Sequence, residues 1–233
     1  MRCLVACAGD RTGGEWLVGR WLPGLRGAGG YEGDVLILDF DLKPWFREEL
    51  LEDNRVFVEP ASFDSRGSGY VQWIRHEYYS RLLMEKYSDY DVVACLDGDL
   101  LFQSPVLPLL ELAVNEFCCV AERVLNGAWL DMRVRDHPDA GRIWEAIRDK
   151  PMVNCGVYAG PLEAVLFVER FLSDRCRFYR VDQAWVNALL YVYGFSMRLV
   201  DDTWNFSRGY LGRVSGDAYF TPEGVKAAIY HCH

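Results

Sequence analysis

The chain has 233 residues, of which 51% are hydrophobic and 25% are charged, and its formal net charge is −9 at neutral pH. This length and composition predict a single folded domain over residues 1–233, or at most one domain with an appendage. Nucleic-acid binding needs a concentrated basic face that displaces counterions, and no run of Lys and Arg supplies one, so no nucleic-acid partner is expected.

Strand-like apolar runs alternate with helical patterns along the whole chain. The strand-like runs lie near residues 2–8, 34–40, 55–58, 91–96, 117–122, 153–159, 196–200 and 228–232. The helical patterns lie near residues 43–52, 70–87, 106–115, 139–149, 161–173 and 182–193. The alternation predicts an α/β fold with helices on both faces of a sheet, and the closely spaced late strands predict that the sheet is mixed.

The helical pattern at 70–87 carries its apolar residues at helical spacing. One side of this helix carries Val71, Ile74, Tyr78 and Leu82, whereas Arg75 and Glu85 fall elsewhere.

No segment reaches the roughly 18 to 20 apolar residues of a membrane-spanning helix, so no transmembrane segment is expected. The apolar stretch near the N-terminus is shorter than a secretory signal requires and favours a first buried strand. Eight cysteines without a C-x-x-C pair, most of them in apolar runs, favour reduced core thiols in a cytoplasmic protein.

The stretch 91-DVVACLDGDLLFQSP-105 places two carboxylates, Asp97 and Asp99, between two apolar runs. Residues i and i+2 of extended backbone point the same way, so the two side chains can converge, with Gly98 leaving room for close approach. Converging carboxylates need a positive partner, and Mg²⁺ or Mn²⁺ fits because it takes oxygen ligands and leaves positions for phosphates. The alternative is that both acids are turn or cap residues.

The last residues, 228-AIYHCH-233, place His231 after an apolar pair. This pattern predicts a strand that holds an imidazole in a defined position. His231 is either a structural histidine or a third ligand to a metal bound by Asp97 and Asp99. A zinc site built from His231, Cys232 and His233 is not favoured, because the sequence has no further ligands at the spacing of known tetrahedral zinc sites.

Several acids follow predicted strands. In open α/β sheets, ligands bind beyond the carboxyl ends of the strands. Asp97 and Asp99 lie at such an end, Asp10 follows the first strand, and Asp39 with Asp41 follows the second.

Six segments occur in an order that resembles the GT-A nucleotide-sugar glycosyltransferases, most of all the family-8 type of retaining galactosyl- and glucosyltransferases. The segments are 2-RCLVACAGD-10, 79-YSRLLMEKYSDYDVVACLDGDLLF-102, 153-VNCGVYAG-160, 181-VDQAWVN-187, 204-WNF-206 and 229-IYHCH-233. The resemblance implies a Rossmann-like GT-A domain with a mixed, mainly parallel sheet. It also implies transfer of a hexose from a nucleotide-sugar, a UDP-sugar above all, to a glycan or other hydroxyl acceptor.

The resemblance implies roles for the acids and for His231. Asp97 and Asp99 would hold Mn²⁺ or Mg²⁺ against the donor diphosphate, with His231 as the third protein ligand. Asp182 and Gln183 match a D-Q pair that lies beside the anomeric carbon and the acceptor. A helix N-cap is an alternative and compatible role for Asp182.

Four further residues match positions that contact the donor. Ala8 and Asp10 would lie where the end of the first strand meets the nucleotide base. Arg81, on the helix before the D-x-D strand, would contact the donor. Asn154 would contact the donor sugar, or serve as a turn former.

The sequence departs from the family pattern in places. Ala184 stands where a second acid follows the D-Q pair, so one donor-side contact is expected to be missing. The glycine and lysine that follow the family's last histidine are absent after His233, so we expect either a replacement for that lysine or a longer protein. With acceptor-binding appendages reduced, the choice between retention and inversion stays open.

Two further features bear on the acceptor. Trp204 lies in a loop-like segment beside Asn205 and is the best aromatic candidate for stacking on an acceptor. The polar stretch 123–142 is either a lid over the donor or a solvated connection.

Three other functions fit parts of the sequence. Phosphatases of the haloacid dehalogenase type also have an acid pair, but near the chain start and followed by Gly-Thr, whereas Leu100 and Leu101 follow here. A sugar-1-phosphate nucleotidyltransferase would need a basic glycine-rich N-terminal loop, and 9-GDRTGG-14 offers only Arg11. A non-catalytic nucleotide-sugar-binding module is the third.

Overall fold

The computed structural model describes residues 1–63, 71–128, 134, 137–179, 181–207, 210 and 212–232. Most of its strands form one large sheet: β1 (Cys3–Asp10), β2 (Asp34–Phe40), β3 (Val56–Pro60), β4 (Val92–Leu96), β6 (Cys118–Leu125), β7 (Pro151–Pro161) and β8 (Arg198–Val200). Three short strands form a second sheet: β5 (Leu100–Phe102), β9 (Phe206–Ser207) and β12 (Ile229–His231). A hairpin joins β10 (Arg213–Ser215) to β11 (Ala218–Phe220).

The large sheet has seven strands in the order β3-β2-β1-β4-β7-β6-β8. Strands β3, β2, β1 and β4 are mutually parallel, and β6 is parallel to β8. Strand β7 is antiparallel to both of its neighbours. The predicted α/β fold with a mixed, mainly parallel sheet is confirmed.

The helices connect these strands and cover the sheet. They are α1 (Gly14–Trp16), a π-helical turn (Leu17–Trp21), α2 (Leu22–Arg26), α3 (Pro44–Leu50), α4 (Val71–Glu85), α5 (Leu107–Leu112), α6 (Ala140–Ile147), α7 (Leu162–Tyr179) and α8 (Asp182–Tyr191). Among the described residues, none of these helices combines the length and apolar character needed to cross a bilayer.

Apolar side chains are buried on both faces of the sheet. Along β1, Leu4 and Ala6 enter one core cluster, and Val5 and Cys7 enter the other. This alternation follows from the two-residue period of a strand, and burial of both faces explains why the central strands read as continuous apolar runs.

The buried surface of α4 is wider than its apolar residues indicate. Leu82 is buried and Ile74 and Tyr78 pack half-buried against the core, as the apolar spacing indicates, whereas Arg75 is buried as well, together with His76. The apolar pattern missed this part of the surface because two polar side chains occupy it. They lie where α4 meets the carboxyl end of the sheet, and there they have charged partners.

Two glycine-rich stretches of the chain, which favour loops, contain short regular elements. Helix α2 ends within the glycine-rich stretch 24–33, and the stretch 208–216 contains β10. The candidate lid 123–142 includes residues 129–133 and 135–136, which lie outside the described residues.

Candidate active site

A cleft of about 490 Å³ opens at the carboxyl ends of β1 and β4. Side chains from β1, α4, β7, α8 and β12 converge on it, together with the turn after β4. The predicted site residues that line it are Ala8, Asp10, Asp97, Asp99, Asn154, Asp182, Gln183 and His231. The structure therefore brings together every predicted site residue except Arg81.

The turn that carries the two acids is held through its backbone. The Asp97 N–H donates to the Gly156 carbonyl at 2.7 Å, and the Trp21 indole N–H donates to the Asp97 carbonyl at 2.8 Å. A Cβ atom built at Gly98 would lie 3.1 Å from the carbonyl oxygen of Ala8. Glycine at this position lets the turn approach the end of β1, and both acids then face the cleft.

His231 reaches the acids because β12 pairs with β5. In this antiparallel pair His231 lies opposite Leu100, and the Cys232 N–H donates to the Asp99 carbonyl at 3.1 Å. The buried imidazole places Nε2 3.1 Å from Asp99 Oδ1 and 3.7 Å from Asp97 Oδ2. The imidazole thus faces both carboxylates, although 132 positions separate it from Asp99 in the sequence.

Asp97, Asp99 and His231 are arranged as a metal-binding group. One ligand atom from each lies within 4.8 Å of the other two. Beneath them, a Cβ atom built at Gly156 would lie 2.6 Å from Asp97 Oδ2 and 2.9 Å from His231 Cε1. Glycine therefore leaves the space in which these side chains converge. Two carboxylates and one imidazole suit a divalent cation that keeps further positions for other oxygen ligands.

A buried arginine, Arg75, links the acid pair to Asp182. One guanidinium nitrogen pairs with Asp97 Oδ1, and the other lies 3.3 Å from Asp182 Oδ2. Burial alone would lower the pKa of Arg75, but the charges of Asp97 and Asp182 outweigh burial and raise it. Arg75 is therefore a fixed positive charge in the wall of the cleft.

Arg81, the arginine expected here, is exposed, and its guanidinium lies 5.0 Å from the centre of the Tyr78 ring. An α-helix advances about 100° per residue, so positions 75 and 81 are about 120° apart around the axis of α4. Only Arg75 faces the cleft. The helical spacing of Arg75 with Tyr79 and Leu82 is a sequence signal that could have identified it.

Asp182 and Gln183 begin α8 next to a constrained residue. Val181 has φ 56° and ψ 70°, a left-handed conformation that is uncommon for a β-branched residue and is found where a site imposes strain. The Gln183 N–H donates to the Asp182 carboxylate at 2.9 Å. Burial alone would raise the pKa of Asp182, but the His76 contact and the Arg75 charge outweigh burial and lower it.

Asn154 lies within β7, and hydrogen bonds at both the oxygen and the nitrogen of its side-chain amide fix its orientation. Its Oδ1 accepts from the Gly156 N–H at 2.5 Å, and its Nδ2 donates to Glu122. Glu122 also accepts from the Tyr210 hydroxyl. Asn154 is thus a strand residue with a fixed side chain, and the turn-former alternative does not apply.

The end of β1 contributes Ala8 and Asp10. Asp10 Oδ1 accepts from the Thr12 N–H at 2.9 Å, the Thr12 hydroxyl at 2.7 Å and the Gly13 N–H at 2.8 Å. These bonds shape the turn that leads into α1 and fix the orientation of the carboxylate at the edge of the cleft.

Three other residues singled out in the sequence do not line the cleft. Asp39 is buried and accepts from the Leu42 N–H at 2.6 Å, and Asp41 is exposed with φ 69°. Trp204 packs against an apolar cluster of the core. Asp39 therefore supports the turn after β2.

Comparisons with known proteins agree on the fold. Neither a protein-family model nor a curated protein matches the sequence. Among solved structures, an active-site variant of LgtC, with glutamine replaced by glutamate, aligns with 98% of this chain and 86% of its own, at a TM-score of 0.62 and 16% identity. The galactosyltransferase LgtC in complex with donor and acceptor sugar analogues aligns over the same shares, with a TM-score of 0.62 and 18% identity.

A third structure extends the comparison. The apo form of WbbM, a bifunctional glycosyltransferase, aligns with 90% of this chain and 40% of its own, at a TM-score of 0.60 and 14% identity. This chain has the GT-A fold. At these identities the likeness establishes the fold of this GT-A protein, and its activity has to be inferred from the cleft.

Proposed function

We propose that this GT-A protein is a metal-dependent glycosyltransferase that moves a hexose from a UDP-sugar to a glycan or other hydroxyl acceptor. The observation that carries the proposal is the convergence of Asp97, Asp99 and His231 in the same cleft as Arg75 and Asp182. A cation site next to a buried arginine suits a diphosphate, and a carboxylate a short distance away suits the sugar attached to it.

The cation end of the cleft would bind the diphosphate. Asp97, Asp99 and His231 would hold Mn²⁺ or Mg²⁺, which when bound neutralises charge on phosphate oxygens as a Lewis acid. A protein with a net charge of −9 needs such a positive centre to accept a phosphorylated ligand. Arg75 adds a buried guanidinium that Asp97 and Asp182 hold in place. Its positive charge would stabilise the leaving diphosphate.

The other end of the cleft would bind the sugar and the acceptor. As the bond between the anomeric carbon and the diphosphate breaks, positive charge develops on the sugar. The Asp182 carboxylate stabilises that charge, Asn154 orients the sugar hydroxyls, and Gln183 contacts the reacting centre. LgtC likewise has a glutamine in its active site, the position changed in its glutamate variant.

The nucleoside would lie at the end of β1, against Ala8 and Asp10. Open α/β sheets bind nucleotides at the carboxyl ends of their parallel strands. The LgtC complex with donor and acceptor sugar analogues supports a cleft that takes both substrates.

Calorimetry with UDP tests the cation site. We expect UDP affinity to depend on Mn²⁺ in the wild-type protein and to lose that dependence in Asp97→Ala. Asp174→Asn, at an exposed acid on α7, is the control and should bind as the wild type does. Unchanged Mn²⁺-dependent affinity in Asp97→Ala would contradict the proposal.

Product analysis separates a transferase from the alternatives. A thermal-shift screen of nucleotide-sugars with and without Mn²⁺ identifies the donor, because ligand binding raises apparent stability. Incubation of that donor with candidate acceptors should then yield a glycosylated product. A sugar-1-phosphate and a nucleoside triphosphate as the substrate pair would indicate a nucleotidyltransferase, and binding with no product would indicate a binding module.

A further inference from the structure

Behind the cleft, His76 and Glu169 form a fully buried pair. His76 lies on α4 and Glu169 on α7, and both are 0% exposed. Nδ1 of His76 lies 2.8 Å from Glu169 Oε2. The other carboxylate oxygen accepts from the Tyr158 hydroxyl and lies 3.6 Å from Cys95 Sγ. Glu169 is thus held from three elements and cannot turn away from His76.

The second nitrogen of His76 faces the cleft residue Asp182. Nε2 lies 3.5 Å from Asp182 Oδ2, the same oxygen that Arg75 approaches to 3.3 Å. Glu169, His76 and Asp182 therefore form a line that runs from the core to the cleft across α7, α4 and α8. Of the three, only Asp182 lines the cleft.

The surroundings of His76 favour the charged imidazole. The groups that face it are Glu169 from α7, Asp182 from α8 and Arg75 from its own helix. Burial alone would lower the pKa of His76, but the Glu169 charge and the close approach of both carboxylates outweigh burial and Arg75 and raise it. A neutral imidazole would leave Glu169 as a buried carboxylate with no positive partner, which is strongly destabilising.

We propose that His76, paired with Glu169, is a positioning residue that presents Asp182 to the cleft as an oriented carboxylate. This inference rests on the proposed function, in which Asp182 faces the anomeric carbon. Asp182 needs a positive neighbour besides Arg75. Arg75 also pairs with Asp97, whose carboxylate belongs to the proposed cation site, so a bound cation would change the interaction between Arg75 and Asp182. His76 supplies a second positive neighbour that is isolated from the cation ligands.

Kinetics of Glu169→Gln test this role. The substitution keeps the shape of the side chain and removes the charge that holds His76 protonated. We expect kcat to fall about 10- to 100-fold, as for other residues that orient a reacting group from behind, with donor KM within about twofold of the wild-type value. The loss of activity at alkaline pH should begin at a lower pH than in the wild type, because the imidazolium deprotonates earlier. Glu163→Gln, at an exposed position of the same helix, should match the wild type.

A folded Glu169→Gln protein with the wild-type kcat and pH profile would overturn the proposal. Should that variant fail to fold, NMR titration of histidine-labelled wild-type protein decides the question, with the His137→Gln variant aiding assignment. We expect the His76 ring to lose its proton at a higher pH than an ordinary histidine does, and a ring that titrates at or below the ordinary pKa would overturn the proposal. This titration needs no substrate, so it stands even if no nucleotide-sugar proves to be consumed.

Discussion

Gly156 and Asp97 approach so closely that no side chain fits between them. A Cβ atom built at Gly156 would lie 2.6 Å from Asp97 Oδ2, and it would also lie 2.9 Å from Asn154 Oδ1 and 2.9 Å from His231 Cε1. Strand β7 therefore forms the floor of the proposed cation site, and glycine is the residue that lets the ligands meet above it.

Gly156→Ala should displace these ligands while the sheet still forms. We expect Mn²⁺-dependent UDP affinity to fall about 10- to 100-fold, since ligand orientation governs metal affinity to this extent. Calorimetry with UDP and Mn²⁺ measures the change. Gly141→Ala is the control, because a Cβ atom there meets nothing within 4 Å. That variant should bind normally and gain about 0.4–1 kcal/mol of stability. Wild-type affinity in Gly156→Ala would contradict this account of the floor.

Substitutions at Arg75 and Arg81 test which of these two arginines of α4 interacts with the donor. A lysine at position 75 keeps one positive charge but cannot reach Asp97 and Asp182 together with a planar fork. We therefore expect Arg75→Lys to lower kcat/KM for the donor about 100-fold or more, as for loss of a preorganised charge-stabilising group. Arg81→Lys should change it less than about twofold. A larger loss in Arg81→Lys than in Arg75→Lys would reverse the assignment.

Gln183 is expected to act on turnover rather than on donor binding. It lines the cleft at the start of α8, next to Asp182, and does not belong to the group formed by Asp97, Asp99 and His231. Gln183→Ala should bind UDP and Mn²⁺ as the wild type does and show a kcat lowered about 10-fold or more, as for loss of a contact made in the transition state. Binding calorimetry and steady-state kinetics on the same preparation separate the two effects. Normal turnover would remove Gln183 from the reacting centre.

The pair of His76 and Glu169 predicts how stability depends on pH. The pKa of His76 is raised above its ordinary value of 6.5, so its contribution to the free energy of unfolding is complete below pH 6.5. That contribution is lost as pH rises through the higher pKa of the folded state. We therefore expect the stability difference between wild type and Glu169→Gln to shrink as pH rises above 6.5. Urea unfolding at several pH values measures it, and a difference that grows with pH would contradict the prediction.

Much of the sheet was predictable because the signals are local. The runs at 34–40 and 91–96 are nearly uninterrupted apolar segments of strand length, and they appear as β2 and β4 within a residue of the predicted limits. Strands β5 and β9 have only two or three residues. Their pairing with β12 depends on partners far away in the chain, so no local pattern marks them.

The sequence by itself determined the α/β fold and the acid pair on either side of Gly98. Both follow from neighbouring residues: the period of apolar side chains selects strand or helix, and the end of a strand carries the acids to the edge of the sheet. Only the tertiary structure decided that Arg75 rather than Arg81 faces the cleft and that Gly156 lies beneath Asp97. It also decided that His76 and Glu169 stand behind Asp182. These are contacts between polar groups from separate elements, and packing in three dimensions determines which of them meet.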